Sequence, residues 1–271
     1  MCIILKPVYL MPFLLAIKLF SYSTTEEHQN FFKTPVAELP DHQFHFEKDR
    51  LEQCEEIDTL NSIIYSDSIV IKNSYFSCTN LLGPAKFSNT TFQGTLDFIW
   101  SRFDSVVFFS GSNFNGTVNL SANKFMAFTS CWFSHFNRGA LFYESQFQYL
   151  TRFKHSKFDS IAGFTGVHFY DYVDFEGTKF NCISRFNSTI FDSTVSFFVT
   201  YFDSSTYFNN SIFKNAANFH STNFNGSSDF SETRFDNYAN FSATQFAKPT
   251  NFTKVQFNCF GRSEERRVGK E

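Results

Sequence analysis

Residues 174–180 read DFEGTKF and residues 240–246 read NFSATQF. In each stretch two phenylalanines stand five residues apart, and Thr178 or Thr244 stands two positions before the second of them. The pattern continues from Phe87 to Phe257, where the spacing between phenylalanines alternates between five and six residues. A fixed period over so many units predicts one small structural element that is stacked many times.

The phenylalanines form two interleaved series, each with a period of 11 residues. One series occupies every eleventh position from Phe92 to Phe257 without exception, and the other runs from Phe87 to Phe252 with Leu120 and Cys131 as its two exceptions. Together the two series hold 30 of the 42 phenylalanines in the chain. Because each buried phenylalanine stabilises a fold by about 1.5–3 kcal/mol, they provide a large core.

The residues that surround each phenylalanine favour short extended segments. A small or β-branched residue precedes most phenylalanines by two positions, as Ala85 precedes Phe87 and Thr90 precedes Phe92. Residues two apart share one side of an extended segment, so both point inward. A helix would need apolar residues at 3.6-residue spacing, and a meander would need longer strands with hairpin turns. The pattern therefore predicts a coiled β-solenoid with tight corners.

Polar residues flank the phenylalanines of the series that begins at Phe92. Lys, Arg, His, Gln or Asn often precedes them, as in Arg102, His135, Lys157 and His168, and Asp or Asn often follows them. Asp and Asn suit turns because their side chains bond the local backbone, so we expect these residues at corners with that role. The histidines at this outward position are expected to be solvated surface residues.

The stretches 174–180 and 240–246 resemble the pentapeptide-repeat family, whose units place a small residue, then Asp or Asn, then Leu or Phe. The resemblance covers roughly residues 65–260, and the six-residue alternate spacing and the Ser or Thr in place of Ala depart from the strict pattern. It implies an all-β fold, a right-handed quadrilateral β-helix with 22 residues per coil, about eight coils and four ladders of phenylalanine. We expect this solenoid over residues 65–261.

The N-terminal residues differ from the repeat. Residues 1–23 carry an apolar run between Lys6 and Lys18, which predicts a cleaved secretory signal peptide, with an uncleaved membrane anchor as the alternative. Residues 24–64 are expected to form a cap or linker. Within them, Glu47 to Leu60 has helical spacing, which predicts a partly helical cap with Leu51, Cys54 and either Ile57 or Asp58 on one side.

The C-terminal decapeptide RSEERRVGKE, residues 262–271, lacks phenylalanine and is dominated by charged residues. It resembles the translation of a sequencing adapter, so we expect it to be a non-native tail and exclude it from the fold. On this interpretation the natural chain is cut short inside or just after the repeats.

The cysteines outside residues 1–23 show no metal-binding motif of the C-x-x-C kind. Cys54 and Cys78 are 24 residues apart, about one coil, so the sequence predicts a disulfide that fixes the cap to the solenoid. Cys131 replaces a core phenylalanine and is expected to be a buried apolar residue. Cys182 and Cys259 are too far apart along the coils to be bridged.

Asparagine sequons suggest N-glycosylation in a eukaryotic secretory route, although Asn, Ser and Thr are abundant enough for chance matches. The candidate acceptors are Asn89, Asn115, Asn119, Asn187, Asn209, Asn225, Asn240 and Asn251.

No catalytic motif interrupts the repeat. The chain lacks a nucleophile elbow, a P-loop and a zincin motif, so we expect no enzyme, no cofactor and no catalytic residue. A generic group of Asp41, His42, His45 and Glu47 is interpreted as cap or loop rather than as a metal site. The formal net charge of −3 does not favour nucleic acid as a partner.

These observations favour a non-enzymatic structural or interaction scaffold that is secreted or exposed at the cell surface, with an unknown protein or cell-surface partner. The membrane would be involved only through an uncleaved N-terminal segment, and end-to-end self-association is a further expectation because an open coil end is a sheet edge. Two alternatives stay open. One is nucleic-acid mimicry that inhibits a topoisomerase, which the resemblance implies for some family members; the other is a larger protein whose functional C-terminal domain is missing.

Overall fold

The fold was analysed in a computed structural model that describes residues 2–5, 54, 57–65, 70–71 and 73–258. Within these residues the regular secondary structure is β-strand throughout. In chain order the strands are β1 (Cys2–Leu5), β2 (Asp58–Leu60), β3 (Ser62–Tyr65), β4 (Val70–Ile71), β5 (Ser74–Tyr75), β6 (Thr79–Leu81), β7 (Ala85–Lys86), β8 (Thr91–Phe92), β9 (Leu96–Asp97), β10 (Arg102–Phe103), β11 (Val107–Phe108), β12 (Asn113–Phe114), β13 (Val118–Asn119), β14 (Lys124–Phe125), β15 (Thr129–Ser130), β16 (His135–Phe136), β17 (Ala140–Leu141), β18 (Gln146–Phe147), β19 (Thr151–Arg152), β20 (Lys157–Phe158), β21 (Ala162–Gly163), β22 (His168–Phe169), β23 (Val173–Asp174), β24 (Lys179–Phe180), β25 (Ser184–Arg185), β26 (Ile190–Phe191), β27 (Val195–Ser196), β28 (Tyr201–Phe202), β29 (Thr206–Tyr207), β30 (Ile212–Phe213), β31 (Ala217–Asn218), β32 (Asn223–Phe224), β33 (Ser228–Asp229), β34 (Arg234–Phe235), β35 (Ala239–Asn240), β36 (Gln245–Phe246), β37 (Thr250–Asn251) and β38 (Gln256–Phe257).

These strands form four parallel sheets, which are the four sides of a square coil. From β2 onward every fourth strand belongs to the same sheet, and we number the sheets as faces 1 to 4 by their members β2, β3, β4 and β5. The chain visits faces 1, 2, 3 and 4 in turn and then starts the next coil. Strands pair 22 residues apart, as Phe103 pairs with Phe125 and Phe114 with Phe136. The predicted 22-residue quadrilateral solenoid is confirmed, with about nine coils.

The core consists of the side chains that the sequence pattern predicts to point inward. On faces 1 and 3 the second strand residue is the inward phenylalanine, as with Phe103 and Phe114, which are 1% and 0% exposed. On faces 2 and 4 the first strand residue points inward and the phenylalanine follows the strand, as with Val107 and Phe109. The spacing between successive inward phenylalanines therefore alternates between five and six residues because two kinds of face alternate around one core.

Phenylalanine rings stack along the rod in four ladders. Phe175 lies 5.0 Å from Phe153 and 5.0 Å from Phe197, and the rings are parallel within 4°. Neighbouring ladders meet edge to face, as Phe175 and Phe186 do at 5.5 Å and 88°. Both arrangements are favoured geometries for aromatic pairs, so the core gains directional contacts in addition to apolar burial.

Two residues interrupt the ladders in the middle of the rod. Leu120 stands between Phe98 and Phe142, and Cys131 stands between Phe109 and Phe153. Both side chains are at most 1% exposed and belong to the same apolar core. The interpretation of Cys131 as a buried apolar residue is confirmed.

The corners that follow faces 2 and 4 use a backbone conformation that most residues avoid. In the turn from Phe87 to Thr90, the N–H of Thr90 donates to the carbonyl of Phe87 at 3.2 Å, and Asn89 has a φ of 55°. Positive φ at the third turn residue usually requires Gly or Asn. Here bulky residues such as Phe133 and Val199 also adopt it, at 54° and 52°.

Serine and threonine hydroxyls join successive coils at these corners. The hydroxyl of Thr200 donates to the carbonyl of Phe175 at 2.8 Å, and that of Thr189 donates to Phe164 at 2.8 Å. Each donor lies 25 residues after its acceptor, so the bond crosses from one coil to the previous one. This bond explains why Ser and Thr replace the commoner Ala, because Ala has no hydroxyl to satisfy the corner carbonyl.

The N-terminal part of the solenoid differs from the expectation. The predicted helix over residues 47–60 is wrong at its C-terminal end, because Asp58–Leu60 is strand β2, while residues 47–53 lie outside the described residues. Leu60 pairs with Leu81 of the next coil, so the open sheet edge outweighs the local helical spacing. Strands β2 and β3 lie within or at the end of the segment predicted as cap, and β1 pairs with β3.

Candidate functional site

A polar ladder follows the corner between faces 3 and 4. The amide of Asn181 donates to Asp159 at 2.6 Å, and the amide of Asn225 donates to Asp203 at 2.7 Å, in each case one coil earlier. The expectation that these Asp and Asn residues bond the local backbone is wrong for these two pairs, because residues 22 apart lie one strand spacing apart. The local bonds belong instead to strand residues such as Asp229, whose carboxylate accepts from the N–H of Ser231 at 2.8 Å.

Cations two positions earlier neutralise several of the corner carboxylates. Arg102 contacts Asp104 at 2.6 Å, Lys157 contacts Asp159 at 2.8 Å and Arg234 contacts Asp236 at 3.0 Å. Pairing of both signs within one coil leaves no continuous acidic stripe along these corners. Exposed pairs of this kind contribute about 0–1 kcal/mol each, so they set surface charge more than stability.

The histidines His135 and His168 join these ion pairs. The Nε2 atom of His135 lies 2.6 Å from Asp159, and that of His168 lies 3.0 Å from Asp192. Partial burial acts to raise the pKa of Asp159, but hydrogen bonds from Lys157, His135 and Asn181 outweigh it, so the pKa lies below its ordinary value. Both histidines lie at the predicted outward position, but the expectation that they are solvated is wrong, because each is half-buried against a carboxylate.

Cys54 and Cys78 form a disulfide in the structure, with their Cα atoms 5.8 Å apart. Both side chains are buried. Cys78 sits in the corner between β5 and β6, and the N–H of Asp58 donates to its carbonyl at 3.2 Å. The bond therefore joins Cys54, four positions before β2, to the corner that follows β5, where the sequence predicts a link between cap and solenoid.

Two further cysteines are free and differ in their surroundings. Burial raises the pKa of the Cys131 thiol far above its ordinary value, so this thiol is inert. Cys182 is half-buried and packs on a small second cluster of Leu141, Tyr143 and Ile161 on face 4. Cys259 lies outside the described residues.

The sequon asparagines divide into three groups by exposure. Asn89, Asn225 and Asn251 are exposed, and Asn115, Asn209 and Asn240 are half-buried. Asn119 and Asn187 are buried at 2% and 8% exposure, and the amide of Asn187 donates to Asn209. A glycan linked to a buried amide would have no path to solvent, so these two sequons suit packing rather than modification.

Chemistry-bearing groups are dispersed over the rod. The described residues contain no group of three or more His, Cys, Asp or Glu side chains placed to hold a metal ion. The group of Asp41, His42, His45 and Glu47 lies outside them. A shallow groove of about 400 Å³ on face 4 is lined by Tyr207, Asp229 and Asn251 among others, and its one carboxylate is already engaged with the backbone.

The most unusual exposed side chains are Trp132 and Phe133, which the sequence analysis does not single out. They are 45% and 57% exposed, directly after the ladder interruption at Cys131. The available signal was their place at a corner, where the previous coil carries Ser110 with Gly111 and the next coil carries Lys154 with His155. The periodic pattern identifies the inward positions and does not indicate which outward side chains are large and exposed.

Two further findings concern membrane-spanning helices in the structure and the family to which the chain belongs. In the part of the chain that the structure describes, there is no helix with the length and apolar character needed to cross a bilayer. A family model described as pentapeptide repeats (9 copies) matches residues 76–122, 142–190 and 208–256, which is more than half of the chain. No curated protein and no solved structure matched. With the 22-residue coils and the four inward ladders, this match shows that the chain belongs to the pentapeptide-repeat family.

Proposed function

We propose that this protein is a non-enzymatic, rigid scaffold that is secreted or exposed at the cell surface and presents outward side chains to a protein partner. The observation that carries the proposal is the use of nearly every periodic residue to hold the rod together. Phenylalanines fill the core, hydroxyls join the coils, and Asn and Asp form ladders at the corners. A repeat with dispersed titratable groups suits presentation better than catalysis.

Two features support an extracellular setting. The Cys54–Cys78 disulfide would persist in an oxidising compartment, and the apolar N-terminal run suits a secretory signal. The exposed sequons Asn89, Asn225 and Asn251 would then meet the glycosylation machinery. A membrane-anchored form follows if the N-terminal segment stays uncleaved.

Expression in a eukaryotic secretory host tests the location. We expect the protein in the medium, with an N-terminus near residue 24 and with an apparent mass that falls on glycosidase treatment. Residue-level mapping should find glycans at Asn89, Asn225 or Asn251 and none at Asn119 or Asn187. The matched control lacks residues 1–23 and should remain unglycosylated inside the cell. Retention of the full chain in the cytosol without glycan would contradict the proposal.

The absence of catalysis is tested on the purified protein. We expect no turnover in a screen of hydrolase, transferase and oxidoreductase substrates. A turnover that a single surface substitution abolishes, with the rod still folded, would overturn the non-enzymatic part of the proposal.

Nucleic-acid mimicry is less well supported because it needs an acidic rod. The pairs Arg102–Asp104 and Arg234–Asp236 place a cation beside the carboxylate on the same coil. We expect topoisomerase supercoiling to be unchanged by excess protein. End-to-end self-association is a further proposal, which a sedimentation measurement tests. A functional C-terminal domain in a longer chain is another, which a full-length transcript tests.

A further inference from the structure

A group of exposed and half-buried side chains, most of them aromatic, lies on face 2 and its two corners in the middle of the rod, and we refer to it as the aromatic surface. It comprises Phe108, Phe128, Trp132, Phe133, Arg152 and His155. Phe108 and Phe128 meet edge to face at 5.8 Å, and the guanidinium of Arg152 lies 5.4 Å above the ring of Phe128. At the other side of the face, Phe133 contacts Trp132 and His155, each at 5.1 Å between ring centroids.

The architecture of the rod does not require these aromatic side chains. The coil before Phe133 has Gly111 at the equivalent corner, and the coil after His155 has Gly177. Both Phe133 and His155 adopt positive φ, at 54° and 55°, a conformation that Val199 and Ser221 also adopt at the same corner of later coils. This corner therefore accepts Gly, small and bulky residues alike, so the fold does not dictate the aromatic side chains found here.

Exposure adds an independent argument. Trp132 and Phe133 are 45% and 57% exposed, whereas the inward phenylalanines of the central coils are at most 1% exposed. Contiguous exposed aromatic surface marks interaction sites, and Trp and Arg are the side chains enriched where binding energy is concentrated. The aromatic surface contains both Trp132 and Arg152. The exposed Arg152 lies in the strand row of face 2, between the Phe108–Phe128 pair and the Trp132–Phe133 pair.

The charges of this surface indicate the chemistry of a partner. The cations Arg152 and Lys154 lie two positions apart on one coil, although the whole chain carries a net charge of −3. Glu176, one coil on, is already paired with Lys154 at 2.9 Å, and Asp174, which follows Arg152 in the row, is buried at 7% exposure. The exposed guanidinium suits carboxylates, which it binds with two parallel hydrogen bonds.

We propose that the aromatic surface is a docking site for an acidic segment of a partner protein. Apolar side chains of that segment pack on Trp132 and Phe133, and its carboxylates pair with Arg152. The proposal rests on the scaffold function proposed above and adds the place and the chemistry of the contact.

Selection from a random 12-residue peptide library displayed on phage tests this proposal, with the folded protein as bait. Peptides retained by the double variant Trp132→Ser, Phe133→Gly are removed first. We expect the remaining peptides to combine at least two Asp or Glu with apolar residues. A synthetic copy should bind about tenfold or more weakly to Arg152→Gln and to the double variant, and more weakly as salt is raised.

Tyr238→Ala is the matched control, because Tyr238 is 60% exposed and occupies the position of Phe128 five coils later. It should change peptide affinity by less than about twofold. Trp132, Phe133 and Arg152 are all exposed, so circular dichroism should show an intact fold in both test variants. Phe133→Gly should raise the unfolding midpoint.

Three results would overturn the proposal. The first is selection of basic or uncharged peptides whose binding depends on Trp132. The second is binding to a glycan array that the double variant loses, with no peptide selected. The third is self-association in sedimentation that the double variant abolishes. None of these three results contradicts the scaffold function proposed above. Turnover of a substrate would instead contradict that function and leave the peptide result unaffected.

Discussion

The hydroxyl of Thr178 donates a 2.8 Å hydrogen bond to the carbonyl oxygen of Phe153 in the previous coil. The same carbonyl accepts the N–H of Ser156 at 3.0 Å, which closes its own corner. A buried carbonyl therefore has one partner from its own coil and one from the next. Repetition of this pair of bonds along the rod couples each corner to its neighbour, and coupling between neighbours is what stabilises a repeat protein.

Removal of one hydroxyl from this series should weaken the rod without changing its shape. In Thr200→Val the carbonyl of Phe175 loses the 2.8 Å bond from the next coil and keeps the N–H of Thr178. We expect the free energy of unfolding to fall by about 1 kcal/mol, measured by urea denaturation. The control Thr194→Val, at a half-buried position of the neighbouring corner, should change it by less than about 0.5 kcal/mol.

Addition of a hydroxyl where the series lacks one should have the opposite effect. Val167 is buried at the equivalent position between Ser145 and Thr189, and the carbonyl of Phe142 accepts the N–H of Ser145. Val167→Thr should add a bond to this carbonyl and raise the free energy of unfolding by about 0.5–1 kcal/mol. A lower urea midpoint in this variant would show that the corner cannot accept the hydroxyl.

The positive-φ corners store strain that substitution should release. Val199 is β-branched at a φ of 52°, while Asn210 occupies the equivalent corner of the next half coil at 61°. Because Asn tolerates this conformation, Val199→Asn should stabilise the protein by about 0.5–1 kcal/mol. The reciprocal change Asn210→Val should destabilise it by about 1 kcal/mol. Thermal unfolding of the pair provides the check, and shifts of the same sign in both would refute the strain argument.

The ion pair at Asp159 predicts a dependence on acid. Its pKa is lowered in the folded protein, so its contribution is present above the unfolded value of about 3.9 and is lost as pH falls through the folded value. Asp159→Asn should therefore be less stable than the wild type at pH 7, by about 0.2–1 kcal/mol for a largely exposed pair. The difference should approach zero near pH 2. Urea midpoints at both pH values test this, and a difference independent of pH would exclude the ionic contribution.

The periodicity of phenylalanine was enough to predict the coil, because an inward residue every five or six positions defines both its length and its core. It did not predict the beginning of the solenoid. The helical spacing of Glu47 to Leu60 is a local signal, whereas the pairing of Leu60 with Leu81 depends on an edge that forms only when the next coil is present.

The surface was less predictable than the core. The partners of His135 and Asn181 lie one coil away, so they follow from the register once the coil is known. The exposure of Trp132 and Phe133 does not follow from composition, since the phenylalanines of the two periodic series are buried in the central coils. The burial of the Asn119 and Asn187 sequons likewise depends on neighbouring corners that a sequon search does not consider.

The central claim is that residues 22 apart lie one strand spacing apart along a rigid rod. Asn113 and Asn223 occupy the same row of face 3, five coils apart, and Gln245 lies one coil beyond. Distances between nitroxides at positions 113 and 223 can be measured by pulsed electron paramagnetic resonance after Cys2, Cys182 and Cys259 are replaced by Ser. Their distribution should be narrow and centred at about 24 Å. Moving the second label to position 245 should add about 5 Å. A broad distribution, or an increase unrelated to the 22-residue step, would contradict the solenoid.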